Sequence, residues 1–403
     1  MKQLRASQTI RRLARDRSVR ATLFAFTLSR GIVLVILVLF GMMTTAPDPQ
    51  FSGHVDAQIS VRHVPFARLM GQEVATADVN WYLTIVQRGY DQAAYSEDEK
   101  RNWAFFPVFP LLWRQVAKWT GDYVLTGMAL SHLFFLVALF LLHRVCVQFG
   151  LGPDDADRAV FYLAVFPTSY FFSMPLPESL FLMLTIASFY FAKGERWWLA
   201  GVFGALASGT RTSGVLLLPA LAVLYWETYK PALQLRDVRT WRKDALALLL
   251  VPVGLVAFMV YLHFLTGNAL AFKGAMAAWG RQAGFFVDPL IEYLRSPSEI
   301  AAHWNFKLVN FLAVTLALAC GVVLLKRRQY PLAIFALLSL LVALSSALLQ
   351  SQARYAMVVF PIYIVLADWG RRAKVDQLIR AVFVAVFALM TALFAAHYTL
   401  ALS

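Results

Sequence analysis

The chain has 403 residues, of which 60% are hydrophobic and only 15% are charged, and its mean hydropathy is +0.61. Soluble globular domains carry about 25% charged residues, so this composition leaves too little polar surface for a soluble protein of this length. The net charge of +14 would suit nucleic acid, but the basic residues stand in short clusters between apolar runs. That distribution is typical of cytoplasmic loops in membrane proteins and argues against nucleic-acid binding.

Apolar runs close to the length that a helix needs to cross a bilayer, about 20 residues, recur along the whole sequence. The predicted fold is an all-α polytopic membrane protein with about eleven transmembrane helices. The predicted spans lie near residues 21–44, 123–147, 158–175, 178–193, 197–209, 213–229, 244–266, 306–325, 330–350, 354–369 and 380–401. Residues 1–20 form a basic N-terminus before one transmembrane domain, 21–403.

The placement of lysine and arginine predicts the orientation of these spans. If the basic N-terminus is cytoplasmic, every second turn should be basic as well. The turns that satisfy this pattern contain Lys193 and Arg196; Lys230, Arg236, Arg239, Arg242 and Lys243; Lys326, Arg327 and Arg328; and Arg371, Arg372 and Lys374. Two long loops, 45–122 and 267–305, then face the non-cytoplasmic side. The first holds aromatic strings at 81–86 and 105–112, which are too short to span and predict helices lying in the interface.

Asp78 stands just before the first of these interfacial helices. A carboxylate at the boundary between water and lipid could remove the proton from an attacking hydroxyl. The alternative is an aspartate that caps the helix, and its position alone favours the cap.

Glu178 follows Pro177 at the non-cytoplasmic end of the hairpin between the third and fourth spans. A carboxylate at a span end is a functional candidate, and a glutamate favoured by the helix dipole is an equally good interpretation. Arg211 lies in a polar interruption of a long apolar run, and Arg354 lies at the mouth of a later span on the same side. A guanidinium there could bind a phosphate, or it could reach the interface as an ordinary loop arginine.

Metal chemistry is not expected from this sequence. Asp154, Asp155 and Asp157 contain the Asp-x-Asp spacing, but they precede a span on a short predicted cytoplasmic turn, where helix capping is the favoured role. The two cysteines, Cys146 and Cys320, lie inside apolar runs, and the histidines have no metal-binding spacing.

An ordered set of short strings resembles the PIG-V-like mannosyltransferases of the GT-C superfamily. The strings are Asp78-x-x-Trp81-Tyr82-Leu83-x-Ile85 with Gly89-Tyr90; Ala104-Phe105-Phe106-Pro107-x-x-Pro110; Phe166-Pro167-x-Ser169 with Glu178-Ser179-Leu180-Phe181; Ser208-x-x-Arg211-x-x-Gly214; Trp279-x-Arg281; and Arg354-Tyr355 with Phe360-Pro361. Together they cover most of residues 20–370. Ala77, Val79 and Asn80 depart from the residues usual in bacterial relatives.

The resemblance implies a GT-C bundle and an inverting transfer of a hexose, with mannose favoured. The donor would be a polyprenyl- or dolichyl-phosphate sugar, and the acceptor a lipid, a glycan or a protein. No metal or other cofactor is expected to be obligatory. Asp78 matches the catalytic base, while Arg211 and Arg354 are expected to bind the donor phosphate. The further site candidates are Glu178, Trp81, Tyr82, Trp279, Arg281 and Tyr355.

The expected location is a bacterial plasma membrane with the N-terminus in the cytoplasm, and the alternative is the endoplasmic reticulum. The rival function is a multi-pass transporter or lipid flippase. Transporters commonly contain inverted repeats and broken helices near the midplane. No repeat is visible in this sequence, and the polar candidates gather on one predicted face. This asymmetry favours an interfacial enzyme.

Overall fold

A computed structural model describes residues 16–44, 74, 78–96, 99–230, 242–281, 284–296, 306–346 and 348–398. The predicted basic segment before residue 16, loop residues 45–73 and 297–305, and Arg236 and Arg239 lie outside these ranges. All regular secondary structure in the described ranges is helical. This agrees with the predicted all-α class.

The first half of the chain contains the helices that bring most of the charged candidates together. They are α1 (Arg17–Thr44), α2 (Asp78–Arg88), α3 (Val108–Thr120), α4 (Tyr123–Gln148), α5 (Pro153–Ala164), α6 (Glu178–Lys193), α7 (Trp197–Ser208) and α8 (Leu217–Tyr229). Short 3₁₀ helices also occur, at Asn102–Ala104, Ser169–Ser173 and Thr212–Leu216.

The second half begins with a 3₁₀ helix at Lys243–Leu250 and continues with further α-helices. They are α9 (Val253–Thr266), α10 (Ala271–Ala277), α11 (Asp288–Arg295), α12 (Phe306–Lys326), α13 (Tyr330–Leu344), α14 (Gln352–Met357), α15 (Pro361–Trp369) and α16 (Ala373–Ala395). Helices α6 and α15 are buried along most of their length and form the centre of the core.

Within the described ranges, four helices are long and apolar enough to cross a membrane: Arg17–Gly41, Tyr123–Gln148, Lys307–Lys326 and Ala373–Ala395. The pair Lys243–Leu250 and Val253–Thr266 makes a fifth candidate, bent by 43°. The other predicted spans correspond to shorter helices or, as at 158–175 and 354–369, to two helices with a break between them. The count of about eleven therefore stays a prediction. The GT-C arrangement and the interfacial placement of α2 and α3 also stay predictions.

One predicted boundary was wrong in an informative way. The third span, predicted as continuous from 158 to 175, is divided into α5 and the 3₁₀ helix Ser169–Ser173. Pro167 explains the break, because proline has no backbone N–H and disfavours helical geometry at the residue before it. The break turns the chain toward Glu178, the first residue of α6.

A buried arginine holds this break in place. Arg30, in the middle of α1, is 6% exposed. Its guanidinium donates hydrogen bonds to the Ser169 carbonyl and hydroxyl, both at 2.8 Å, to Ser173 Oγ at 2.9 Å and to the Ala164 carbonyl at 3.2 Å. It also lies 4.7 Å from the centre of the Phe135 ring. Since backbone polar groups inside a membrane must find internal partners, Arg30 stabilises an irregular segment that would otherwise be costly.

The Asp-x-Asp segment forms ion pairs between helices, so its predicted role as a helix cap was wrong. The residue at the N-cap position of α5 is Gly152, so no aspartate side chain caps this helix. Asp154 and Asp157 pair with Arg17 of α1, whereas Asp155 pairs with Arg158 and Arg371. Burial alone would raise the pKa of Asp155, but hydrogen bonds from Arg371 and Arg158 outweigh burial and lower it. No group of three or more potential ligands suits a metal ion anywhere in the described ranges.

Candidate active site

A cavity of about 140 Å³ brings together all the predicted site residues except Trp81. The lining residues come from parts of the chain that are far apart in sequence: Asp78, Tyr82, Ala104, Phe105, Phe106, Pro177, Glu178, Thr210, Arg211, Thr212, Met276, Trp279, Arg281, Arg354 and Tyr355. They belong to α2, the 3₁₀ helix Asn102–Ala104 with the two residues after it, the start of α6, the link from α7 to α8, the end of α10 with the segment after it, and α14.

The cavity contains a chain of four charged side chains. Arg354 donates from Nη1 to Asp78 Oδ2 at 2.6 Å and from Nε to Glu178 Oε1 at 2.7 Å. Arg211 Nη1 donates to the same Oε1 of Glu178, also at 2.7 Å. The Glu178 side chain is 0% exposed and that of Asp78 is 39% exposed. The charged chain therefore runs from Arg211 through the buried Glu178 and Arg354 to Asp78, which is its most exposed member.

Local folding around the Pro167 break positions Arg354. The Thr168 hydroxyl donates to the Ala353 carbonyl at 3.3 Å. The ring of Phe171 lies 4.8 Å from the Arg354 guanidinium carbon. The 3₁₀ helix Ser169–Ser173 therefore has two sets of contacts. Arg30 bonds it from α1, and Phe171 of the same helix packs against Arg354.

Arg211 owes its position to a tight turn after α7. The helix ends at Ser208, and the chain folds back so that Gly214 packs on the backbone of Ala207 and Ser208. A Cβ atom at position 214 would lie 2.3 Å from the Ala207 carbonyl carbon. Only glycine permits so close an approach without movement of the backbone. The spacing from Ser208 to Gly214 therefore has a direct physical role in presenting Arg211.

A third arginine completes the charge of the cavity. The guanidinium carbons of Arg211 and Arg281 lie 5.0 Å and 5.3 Å from the centre of the Tyr355 ring. Among the residues that the structure describes, no carboxylate forms an ion pair with Arg281. Three guanidinium groups and two carboxylates line the cavity, which leaves one net positive charge. An anionic group would find complementary charge there.

Aromatic rings form another wall of the cavity. Trp279 meets Phe105 edge to face, with ring centres 5.9 Å apart, and Tyr82 meets Phe105 in the same way at 5.0 Å. Trp81 does not line the cavity; it stacks on Phe105 at 5.9 Å and contacts Trp279 at 5.5 Å. Trp81 therefore supports this wall from behind.

The alternatives left open by the sequence can be compared with these contacts. Asp78 and Glu178 do begin helices α2 and α6, as the helix-start interpretations require. Both also bind arginine, and Arg211 and Arg354 bind carboxylates within the protein. The structure thus brings these residues together, and their roles in base catalysis and phosphate binding stay predictions. Sequence reasoning missed Arg30, although an arginine inside a predicted span is itself a signal.

The long apolar helices and the net-positive cavity together define a helical membrane protein with an internal charged site. Comparison with known proteins narrows this class. The profile of the family described as mannosyltransferase (PIG-V) matches residues 20–279. The chain belongs to the mannosyltransferase (PIG-V) family, which confirms the predicted resemblance and supports its assignment as a glycosyltransferase. Arg281, Arg354 and Tyr355 lie beyond the matched segment, yet they line the same cavity as Asp78.

Individual relatives share less than a third of their aligned residues with this chain. The chain is 27% identical to GPI alpha-1,6-mannosyltransferase 2 of Mus musculus over 266 residues, which are 58% of this chain and 50% of the mouse protein. It is 30% identical to the Cricetulus griseus protein of the same name over 150 residues, covering 34% of this chain and 29% of that protein. The chain thus spans about half the length of the mouse relative and less of the hamster one.

Solved structures of an archaeal oligosaccharyltransferase are similar over most of the chain. The apo oligosaccharyltransferase of Archaeoglobus fulgidus covers 93% of this chain and 56% of its own, with 15% identity and a TM-score of 0.46. That likeness is too loose to establish the arrangement of the helices.

Proposed function

We propose that this protein is a membrane glycosyltransferase that moves a hexose, with mannose as the first candidate, from a polyprenyl- or dolichyl-phosphate carrier to a hydroxyl group. The family supports the transferase class. The observation that carries the proposal is the cavity itself, in which two carboxylates and three arginines meet aromatic side chains. The acceptor, a lipid, a glycan or a protein, would enter from the non-cytoplasmic side.

Asp78 is the proposed base. Arg354 binds its Oδ2 and orients the carboxylate, and no described contact occupies Oδ1. In the proposed step, Oδ1 takes the proton of the acceptor hydroxyl while the acceptor oxygen bonds to the anomeric carbon of the hexose. The bond from that carbon to the phosphate oxygen breaks, and its electron pair leaves with the lipid phosphate. A single displacement of this kind inverts the anomeric centre.

The arginines are proposed to bind the phosphate. Arg211 and Arg354 each have N–H groups beyond those that bind Glu178 and Asp78. Arg281 has no carboxylate partner in the described ranges, so it is the cation most open to the phosphate. Donors fixed in advance around developing negative charge commonly provide the largest part of catalysis. No step of this proposal requires a metal ion.

A lipid carrier suits the surroundings of the cavity. Helix α9 presents an apolar stripe in which Val256, Val260 and Phe264 are 50%, 49% and 84% exposed. Residues four apart lie on one face of a helix, so the stripe can contact hydrocarbon. The following segment leads through α10 to Trp279 and Arg281 in the cavity. A carrier chain in the membrane could therefore deliver its head group to the site.

The test uses purified protein, membrane extract as the source of acceptors, and either polyprenyl-phosphate mannose or GDP-mannose as donor. We expect cleavage of the lipid-linked donor, transfer of mannose, and no use of the nucleotide sugar. Use of GDP-mannose alone, or no cleavage of either donor, would overturn the proposal. The side of the membrane is tested separately by labelling single cysteines at positions 78 and 371 in intact cells. Equal access to both positions from outside would contradict the proposed orientation.

The transporter alternative is not favoured. It is opposed by the family, which is a transferase family.

A further inference from the structure

Among the described residues, one buried oxygen atom of the candidate site has no hydrogen-bond partner. Glu178 Oε1 accepts bonds from both Arg211 and Arg354, whereas Oε2 of the same carboxylate is buried and accepts none. The side chain is 0% exposed to solvent and nevertheless lines the cavity. Buried polar atoms in native proteins are nearly always paired, so an orphan of this kind calls for an explanation.

The chemistry of the missing partner follows from the carboxylate. An ionised carboxylate only accepts hydrogen bonds, so its partner must bring an O–H or N–H group. Phosphate oxygens are acceptors and would be repelled by the negative charge of Oε2. A neutral hydroxyl group meets the requirement, and a hydrogen bond to a charged acceptor is stronger than one between neutral groups.

The position of Oε2 indicates which hydroxyl this is. Oε1 and Oε2 share one carbon atom, so a group bound to Oε2 lies beside the guanidinium groups of Arg211 and Arg354. In a lipid-phosphate hexose, the sugar hydroxyls are the O–H groups nearest to the phosphate. The acceptor hydroxyl belongs instead beside Asp78, whose side chain is 39% exposed.

We propose that Oε2 of Glu178 accepts a hydrogen bond from one hydroxyl of the transferred hexose and thereby selects the donor sugar. This inference rests on the proposed function and deepens it. It gives Glu178 two separate roles: one oxygen fixes both arginines, and the other recognises the sugar. A site built to bond a hydroxyl discriminates strongly against an analogue that lacks it, because the buried protein atom is then left unpaired.

The experiment measures kcat/KM of the wild-type protein for polyprenyl-phosphate mannose and for analogues that each lack one sugar hydroxyl. Loss of one hydrogen bond to a charged group predicts that one analogue is used roughly 10²-fold less well than the natural donor, and we expect the others to be used within about tenfold of it. In Glu178→Gln, the amide oxygen must face the two arginines, so the amide NH₂ takes the place of Oε2. The variant should use the natural donor poorly and should lose its preference over the critical analogue.

Glu195→Gln is the matched control, because it makes the same chemical change at a residue that bonds Tyr229 and does not line the cavity. It should keep both activity and preference. Wild-type kinetics that are insensitive to every single deoxygenation would overturn the inference, as would an unchanged preference in Glu178→Gln. Sensitivity to an acceptor hydroxyl that disappears in Glu178→Gln would assign Oε2 to the acceptor and also overturn it. Failure of the wild type to cleave any lipid-linked donor would remove the proposed function, and this inference with it.

Discussion

Replacement of Arg30 by methionine tests whether the break after α5 depends on this arginine. Methionine has a similar length and fills much of the same space, but it makes none of the four hydrogen bonds to Ala164, Ser169 and Ser173. Each such bond contributes about 1 kcal/mol net to stability. Part of the loss is recovered because the Ser169 hydroxyl also bonds the Ala164 carbonyl, at 2.9 Å. We therefore expect Arg30→Met to lower the free energy of unfolding by about 2–4 kcal/mol.

Arg144→Met is the matched control. Arg144 also lies in a long apolar helix, α4, but its side chain is 44% exposed and its ion pair with Asp16 is on the surface. Exposed pairs of this kind contribute roughly 0–1 kcal/mol. Unfolding in mixed detergent and SDS micelles, followed by tryptophan fluorescence, gives the difference between the variants. Equal stability of Arg30→Met and Arg144→Met would refute the role assigned to Arg30.

Three further predictions concern other parts of the structure. Arg211→Lys should reduce turnover of the lipid-linked donor by at least about tenfold although charge is kept, because lysine lacks the planar fork of donors; unchanged kinetics would make Arg211 structural. Gly214→Ala should reduce turnover and lower the melting temperature, because the new Cβ would overlap the Ala207 backbone; Gly31→Ala, which meets no atom within 4 Å, should do neither. The lowered pKa of Asp155 predicts stability that is present at neutral pH and lost as the pH falls below about 4; a pH–stability profile in Asp155→Asn that equals the wild-type profile would contradict this.

The helices that the sequence predicted well are those with a strong local signal. The long apolar run at 123–147 corresponds to helix Tyr123–Gln148, and the run at 178–193 corresponds to helix Glu178–Lys193. The break within the predicted span 158–175 was harder to predict, because Pro167 lies in an otherwise apolar stretch. Whether such a proline kinks or ends a helix depends on distant partners, here Arg30 on α1.

The members of the candidate site were predicted better than their contacts. Residue type and position within the ordered strings marked Asp78, Glu178, Arg211 and Arg354, and the cavity brings them together. Their pairing could not be predicted, because Glu178 and Arg354 are 176 positions apart. Arg211 and Arg354 were expected to bind a phosphate. The structure adds that both donate hydrogen bonds to the same oxygen of Glu178. Arg281, predicted only as a further candidate, emerges as the arginine of the cavity that has no carboxylate partner in the described part of the chain.

The measurement closest to the central claim is donor turnover in Asp78→Asn. Asparagine keeps the size of the side chain, caps helices about as well as aspartate and still offers an amide oxygen to Arg354, so an aspartate that only starts α2 and positions Arg354 is replaced at modest cost. If Asp78 is the base, turnover of polyprenyl-phosphate mannose should fall by roughly 10²–10⁴-fold while the variant stays folded and still binds the donor. Turnover close to that of the wild type would remove Asp78 from the mechanism and contradict the account.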